Sequence, residues 1–109
     1  MADVSEQESG ALPYHRIALE VSDAAAVALT TDIQQMSFDA VVAVMWTRDP
    51  YSGREFWEVA FYCRSDVPIE GIQEIRRVPF VLNQGSLSAK LNGMILDRND
   101  GEYKVISPK

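Results

Sequence analysis

A few short groups of residues carry the side chains that could do chemistry. One is Cys63, the single cysteine, at the end of Trp57-Glu58-Val59-Ala60-Phe61-Tyr62-Cys63. A thiolate is a nucleophile and a metal ligand, but one thiol forms no internal disulfide and no CxxC zinc or redox pair. Its place on the alternating face Trp57, Val59, Phe61 predicts a small buried hydrophobe, where free cysteines usually sit. His15 is the only histidine. A Cys–His nucleophile needs that imidazole beside the thiol and a third group to orient it, and the spacing supplies neither. Asp97-Arg98-Asn99-Asp100-Gly101-Glu102 looks superficially like a calcium loop. Its glycine comes one position early and no glutamate closes the loop, so Asp-Gly marks a hairpin turn instead. Trp46, Tyr51, Phe56 and Trp57 gather around the turn Asp49-Pro50-Tyr51-Ser52-Gly53. There is no GxGxxG, Walker sequence or HExxH, and Ser52 lies in no GxSxG elbow. Without a paired nucleophile and base the chain is read as a non-enzyme, with no catalytic, cofactor-binding or metal residues.

These residues must be positioned by a chain of 109 residues, 47% hydrophobic and 24% charged, which suits one compact domain with a real core. The net charge is −6, from 16 acids and 10 bases. Asp3, Glu6 and Glu8 account for −3 of it within residues 1–12, which hold no Lys or Arg. Nucleic-acid binding needs clustered Lys and Arg, and Arg76-Arg77 is the only adjacent basic pair; it reads as a solvated turn. No apolar run approaches the ~20 residues that span a bilayer, and the acidic N-terminus is unlike a signal peptide. The expectation is a cytoplasmic protein that binds neither membrane nor nucleic acid.

Residues 1–12 read as a disordered acidic leader, and residues 13–109 as one domain. Residues 14–21 alternate, with His15, Ile17, Leu19 and Val21 on one side, and predict a strand with one buried face. Ser22 is placed to cap a helix over residues 23–35, where Asp23 favours the helix dipole. That segment is rich in Ala, and Ala25, Leu29, Ile33 and Met36 share a face for packing on a sheet. Residues 40–47 are almost wholly apolar and rich in β-branched side chains, which predicts a strand covered on both faces. Residues 55–63 form a second strand, joined to the first as an antiparallel hairpin through the Pro-Gly turn. Residues 65–71 are expected to be a loop, 72–75 and 78–82 short strands flanking Arg76-Arg77, and 83–91 a turn with brief helix. Residues 94–96 and 103–106 make a last hairpin around Asn99-Asp100-Gly101. The predicted class is mainly β (α+β): a twisted sandwich of short mixed and antiparallel strands with one main N-terminal helix packed on it.

The order of these features resembles the HesB-like family, the A-type iron–sulphur cluster carriers. The resemblance rests on Leu19-Glu20-Val21-Ser22-Asp23-Ala24-Ala25-Ala26, which is like the family's capped, alanine-rich opening; on Tyr51-Ser52-Gly53, placed like its ligand-bearing turn; and on the run from Pro79-Phe80-Val81-Leu82 through Leu91-Asn92-Gly93-Met94-Ile95-Leu96 to Glu102-Tyr103-Lys104-Val105-Ile106-Ser107. It implies a HesB-like fold over residues 16–107. It puts Tyr51 where the family has its first cysteine ligand, and Ser107-Pro108-Lys109 before the place of the two other cysteines, which flank a glycine. Clusters are held mainly by thiolates, whereas a phenol is a hard donor that ionises near pH 10. Cys63 is no shifted copy of the missing ligand, since an extended strand puts it ~30 Å from Tyr51 at ~3.3 Å per residue.

The favoured function is therefore a HesB-like domain without the cluster ligands, acting as a non-catalytic protein-interaction module with no cofactor. Its candidate surface is Trp46, Tyr51, Ser52, Gly53 and Trp57, open to a protein partner or to self-association, because one helix need not cover every apolar face. The alternatives are an iron–sulphur carrier whose partner completes the ligands, and a small-molecule binder with a pocket between helix and sheet.

Overall fold

A computed structural model describes residues 16–82 and 87–108. The leader over 1–12, Tyr14, His15 and part of the turn expected over 83–91 lie outside the described residues. Ser22 takes extended backbone and its Oγ accepts from the Ala25 N–H (3.1 Å), so α1 (Asp23–Gln34) starts where the sequence predicts. The helix ends one residue early, with Gln35 as its cap. Ala25 and Leu29 on its inner face are fully buried and Ile33 packs beside them.

That face rests on a four-stranded sheet of order β3-β2-β5-β4, made of β2 (Ala40–Arg48), β3 (Glu55–Cys63), β4 (Ile72–Ile75) and β5 (Val78–Val81). β2 and β3 are antiparallel with Val44 opposite Val59, and β2 runs parallel to β5. As expected for a strand covered on both faces, residues 40–44 are all buried. Val42 and Val44 join the main core with Phe80 and Leu29, while Val41 and Ala43 join Val81 in a smaller cluster on the other face. A three-stranded sheet of order β1-β6-β7 comprises β1 (Glu20–Val21), β6 (Ile95–Asn99) and β7 (Glu102–Ile106). β1 is parallel to β6, and β6 is antiparallel to β7. The protein is mainly β, of the α+β class, with two mixed sheets and one α-helix among the described residues.

The first strand is shorter than its alternation predicts. Ile17, Leu19 and Val21 are buried and Ala18 and Glu20 exposed, as expected. Only Glu20–Val21 pairs as strand, because the main chain just before it is satisfied largely by side chains. The Ile17 N–H donates to Gln73 Oε1 (3.0 Å), and Gln73 Nε2 donates to Ile17 O (2.6 Å). The Ala18 N–H donates to Asn92 Oδ1 (2.6 Å). Gln73 lies on β4, so these bonds stitch one edge of the four-stranded sheet to the segment that leads into β1.

The expected loop over 65–71 holds two single 3-10 turns, Arg64–Asp66 and Ile69–Gly71, and another 3-10 turn forms at Ser88–Leu91. The last hairpin extends farther than expected, through Asn99 and from Glu102. Its two-residue turn puts Asp100 and Gly101 at positive φ, the type I′ geometry that Asp-Gly favours. Arg76 and Arg77 also have positive φ, 52° and 68°, between paired Ile75 and Val78. The pair is more than a solvated turn: Arg76 donates to Val21 O (3.0 Å) and to Asp23, tying the β4–β5 turn to the start of α1.

Candidate functional site

The β2–β3 hairpin projects past the core, and its far end carries the residues singled out from sequence. Across the ladder Trp46 faces Trp57, with ring centroids 5.0 Å apart and planes at 70°, an edge-to-face pair. Both point to the side of the main core, which Trp57 reaches, while Trp46 is 40% exposed. These aromatics therefore only partly fill the core. Phe56 lies on the opposite side, with the Arg54 guanidinium 5.9 Å from its ring centroid.

The turn beyond is held by its own residues. The Asp49 N–H donates to Arg54 O (2.8 Å), and the Gly53 N–H to Asp49 O (2.8 Å). Asp49 Oδ1 accepts from the Tyr51 N–H (2.8 Å), and Ser52 Oγ from the Arg54 N–H (3.2 Å). The Tyr51 amide holds the Asp49 carboxyl below its ordinary range, helped by Ser52 and Arg54. Gly53 has φ +75°, which a side chain would strain. Ser52 and Gly53 are thus builders of the turn. The Tyr51 side chain does none of this and is 97% exposed. The structure brings Trp46 and Trp57 into contact and leaves Tyr51 apart from them at the tip.

Cys63 differs from the expected core residue. It faces Ala40 at the end of β3 away from the turn, is only partly buried, and its Sγ lies 3.2 Å from Ser65 Oγ. Among the described residues no group of three or more His, Cys, Asp and Glu side chains could hold a metal, and no helix is long and apolar enough to cross a membrane. At the helix–sheet interface, where the alternative reading places a small-molecule pocket, Ala25, Leu29, Val42, Val44 and Phe80 have no exposed surface, while an open pocket lies beside the helix start, lined by Ser22, Asp23, Ile75 and Arg76.

A larger feature was missed from sequence. Between β3 and β7, each an edge strand of its sheet among the described residues, runs an open groove of about 690 Å³ with Trp46 and Trp57 among its lining. The signal for it is weak, since pairing between distant strands is not written in local periodicity. Gln73 was missed too, although a glutamine inside the short strand Ile72-Gln73-Glu74-Ile75 marks a place where a buried polar group needs partners.

No family model matches this chain, and neither a curated protein nor a solved structure matches it.

Proposed function

We propose that this chain is a non-catalytic, HesB-like protein-interaction module that engages a partner through the end of the β2–β3 hairpin. One observation carries the reading: Tyr51, a large amphipathic side chain of the type that anchors interfaces, is almost wholly exposed on a turn whose geometry needs nothing from it. Trp46 and Trp57 extend the apolar surface along the same arm. The element order and the capped, alanine-rich helix support a HesB-like fold. Cluster carriage has less support, because Cys63 and Tyr51 lie at opposite ends of the hairpin and a phenol is a poor partner for iron–sulphur chemistry. The single cysteine fits a reducing, cytoplasmic setting.

The test is co-purification from lysate of the source cells, with light scattering to separate hetero- from self-association. The wild-type chain is expected to retain a stoichiometric partner or to dimerise. The double variant Trp46→Ala, Tyr51→Ala is expected to lose at least tenfold in affinity, since truncating a hot-spot aromatic costs about 2 kcal/mol or more. A strictly monomeric wild type that retains nothing overturns the proposal.

A further inference from the structure

The main-chain hydrogen bonds at the ends of the β2–β3 hairpin fix which groups of β3 face away from β2. The Asp49 N–H bonds Arg54 O, and the Arg64 N–H bonds Asp39 O. Both fall in the register that pairs Met45 with Glu58. Hydrogen-bonded pairs alternate along an antiparallel ladder, so the even-numbered residues of β3 bond to β2. Trp57 and Val59 turn their N–H and C=O groups toward the groove. The same parity holds on β7. A two-residue type I′ turn makes Asn99 and Glu102 a hydrogen-bonded pair, so Tyr103 and Val105 also present their main chains to the groove. Among the described residues these groups have no partner on this side. The two strands approach within 8 Å between Cα atoms. That is wider than the ~4.8 Å of paired strands and narrower than the two such spacings an added strand needs. The gap suits single oxygen atoms that bridge one strand to the other, as water does in wet contacts.

Trp46 and Trp57 touch each other and give the groove an aromatic surface. A ring face is negative, so it attracts weakly positive C–H groups as well as apolar ones. The charges of the lining balance. Arg48 engages Glu55 (3.6 Å), which leaves Glu58 and Glu102 against Arg54 and Lys104. Among the described residues no side-chain hydrogen bond or ion pair holds Glu102 or Lys104, so a carboxylate and a cation are both open to a ligand. We infer that this groove binds a short neutral oligosaccharide. Each sugar hydroxyl donates one hydrogen bond, accepts two and rotates to suit, which fits edges that offer both N–H and C=O and a rim of both signs. The C–H faces of the sugar rings fit Trp46 and Trp57. The groove volume of about 690 Å³ lies in the range of small-molecule sites, roughly 300–1,000 Å³. An anionic ligand such as a nucleotide meets Glu58 and Glu102, and a cationic one meets Arg54 and Lys104. The inference goes beyond the protein contact proposed at the hairpin end and does not rest on it.

The probes are maltotriose, cellotriose and triacetylchitotriose, with trigalacturonate, triglucosamine and adenosine as controls. Binding is followed by Trp fluorescence and by amide hydrogen exchange. At least one neutral trisaccharide is expected to bind with a Kd below about 1 mM, to shift the Trp emission and to slow exchange at Trp57 and Tyr103 at least threefold. Every control is expected to bind at least tenfold more weakly. Silence of all three neutral trisaccharides, or equal binding of any control, overturns the inference. Trp46→Ala, whose ring is half-exposed, is expected to weaken binding at least tenfold with wild-type exchange across β5 as the check on folding, and Trp46→Phe to recover part of the loss. Tyr51→Ala is expected to leave saccharide binding unchanged. Equal losses in Trp46→Ala and Tyr51→Ala would put the ligand at the hairpin tip and sink the groove site, as would unchanged binding by Trp46→Ala. A wild type that binds a trisaccharide but retains no protein partner overturns the interaction module and leaves this site standing.

Discussion

The Tyr103 hydroxyl donates to Asp32 Oδ2 at 2.6 Å, with the Arg98 guanidinium 4.4 Å from the Tyr103 ring centroid and 3.8 Å from the same carboxylate. The three side chains come from β7, α1 and β6, so a single phenol links the helix to the smaller sheet. Burial raises the Tyr103 ionisation well above its ordinary value of 10.0, and the hydrogen bond to Asp32 and the charge of Asp32 add to the rise. The sign follows from linkage. A group whose folded pKa lies above its unfolded one contributes stability that is fully present below the unfolded value and is lost as pH rises. The wild type should therefore lose stability from about pH 10 upward, and Tyr103→Phe should flatten that limb while costing about 1 kcal/mol at neutral pH for the lost hydrogen bond. Urea unfolding between pH 7 and 11 checks both. A variant with the wild-type alkaline slope would show that Tyr103 is not the group responsible. Nothing in the local pattern around Tyr103 announces this triangle, because Asp32 and Arg98 meet it only through the packing of α1 on β6 and β7. Tyr51 is the opposite case: its turn is written in Asp49, Pro50, Ser52 and Gly53, and its exposure follows from the turn.

At the scale of elements, local chemistry made much of the fold readable. Ser22 and the alanines after it fixed the start of α1, the valine-rich apolar run 40–44 announced a doubly covered strand, and Asp100-Gly101 marked the last hairpin. Arg76-Arg77 did not read as a two-residue hairpin turn, since type I′ geometry favours Gly, Asn or Asp. Both arginines take positive φ against their own Cβ, at roughly 1–2 kcal/mol each. For Arg76 the bonds to Val21 O and Asp23 offset this. Among the described residues no such bond involves the Arg77 side chain, and Arg77 is exposed. Arg77→Gly should therefore stabilise the protein by about 0.5–1 kcal/mol, the relief of strain less the greater freedom of glycine in the unfolded chain. Arg76→Gly should destabilise it despite the same relief. Urea midpoints measure both, and equal shifts for the two variants would contradict the unequal roles.

The described residues form two sheets with two seams, and the seams are treated differently. On one side Gln73 imitates a strand neighbour, returning both a donor and an acceptor to Ile17. On the other, β3 and β7 leave their edges to the groove. Hydrophobic patterning said which faces were buried, but not which edges would meet, because inter-sheet closure depends on residues as far apart as Ile17 and Gln73. The closed seam is testable through its single side chain. Gln73→Leu keeps the bulk and strands the Ile17 N–H and C=O, so it should cost about 2–3 kcal/mol, the penalty for unsatisfied buried polar groups. Gln73→Glu gives a sharper version. Ionised, the new carboxylate accepts from the Ile17 N–H but faces the Ile17 carbonyl with no proton to donate. Protonated, it restores both bonds. Burial beside that carbonyl raises the folded pKa of the new group above the unfolded ~4.3. Its stabilising contribution is therefore complete below that value and is lost as pH rises through the folded one. The stability difference between Gln73→Glu and the wild type should be small near pH 4 and widen toward pH 7, while Gln73→Leu shows a constant deficit over the same range. If the difference for Gln73→Glu did not change with pH, the Ile17 carbonyl would not be the partner that decides it, and the seam would be held by packing rather than by the paired bonds of Gln73.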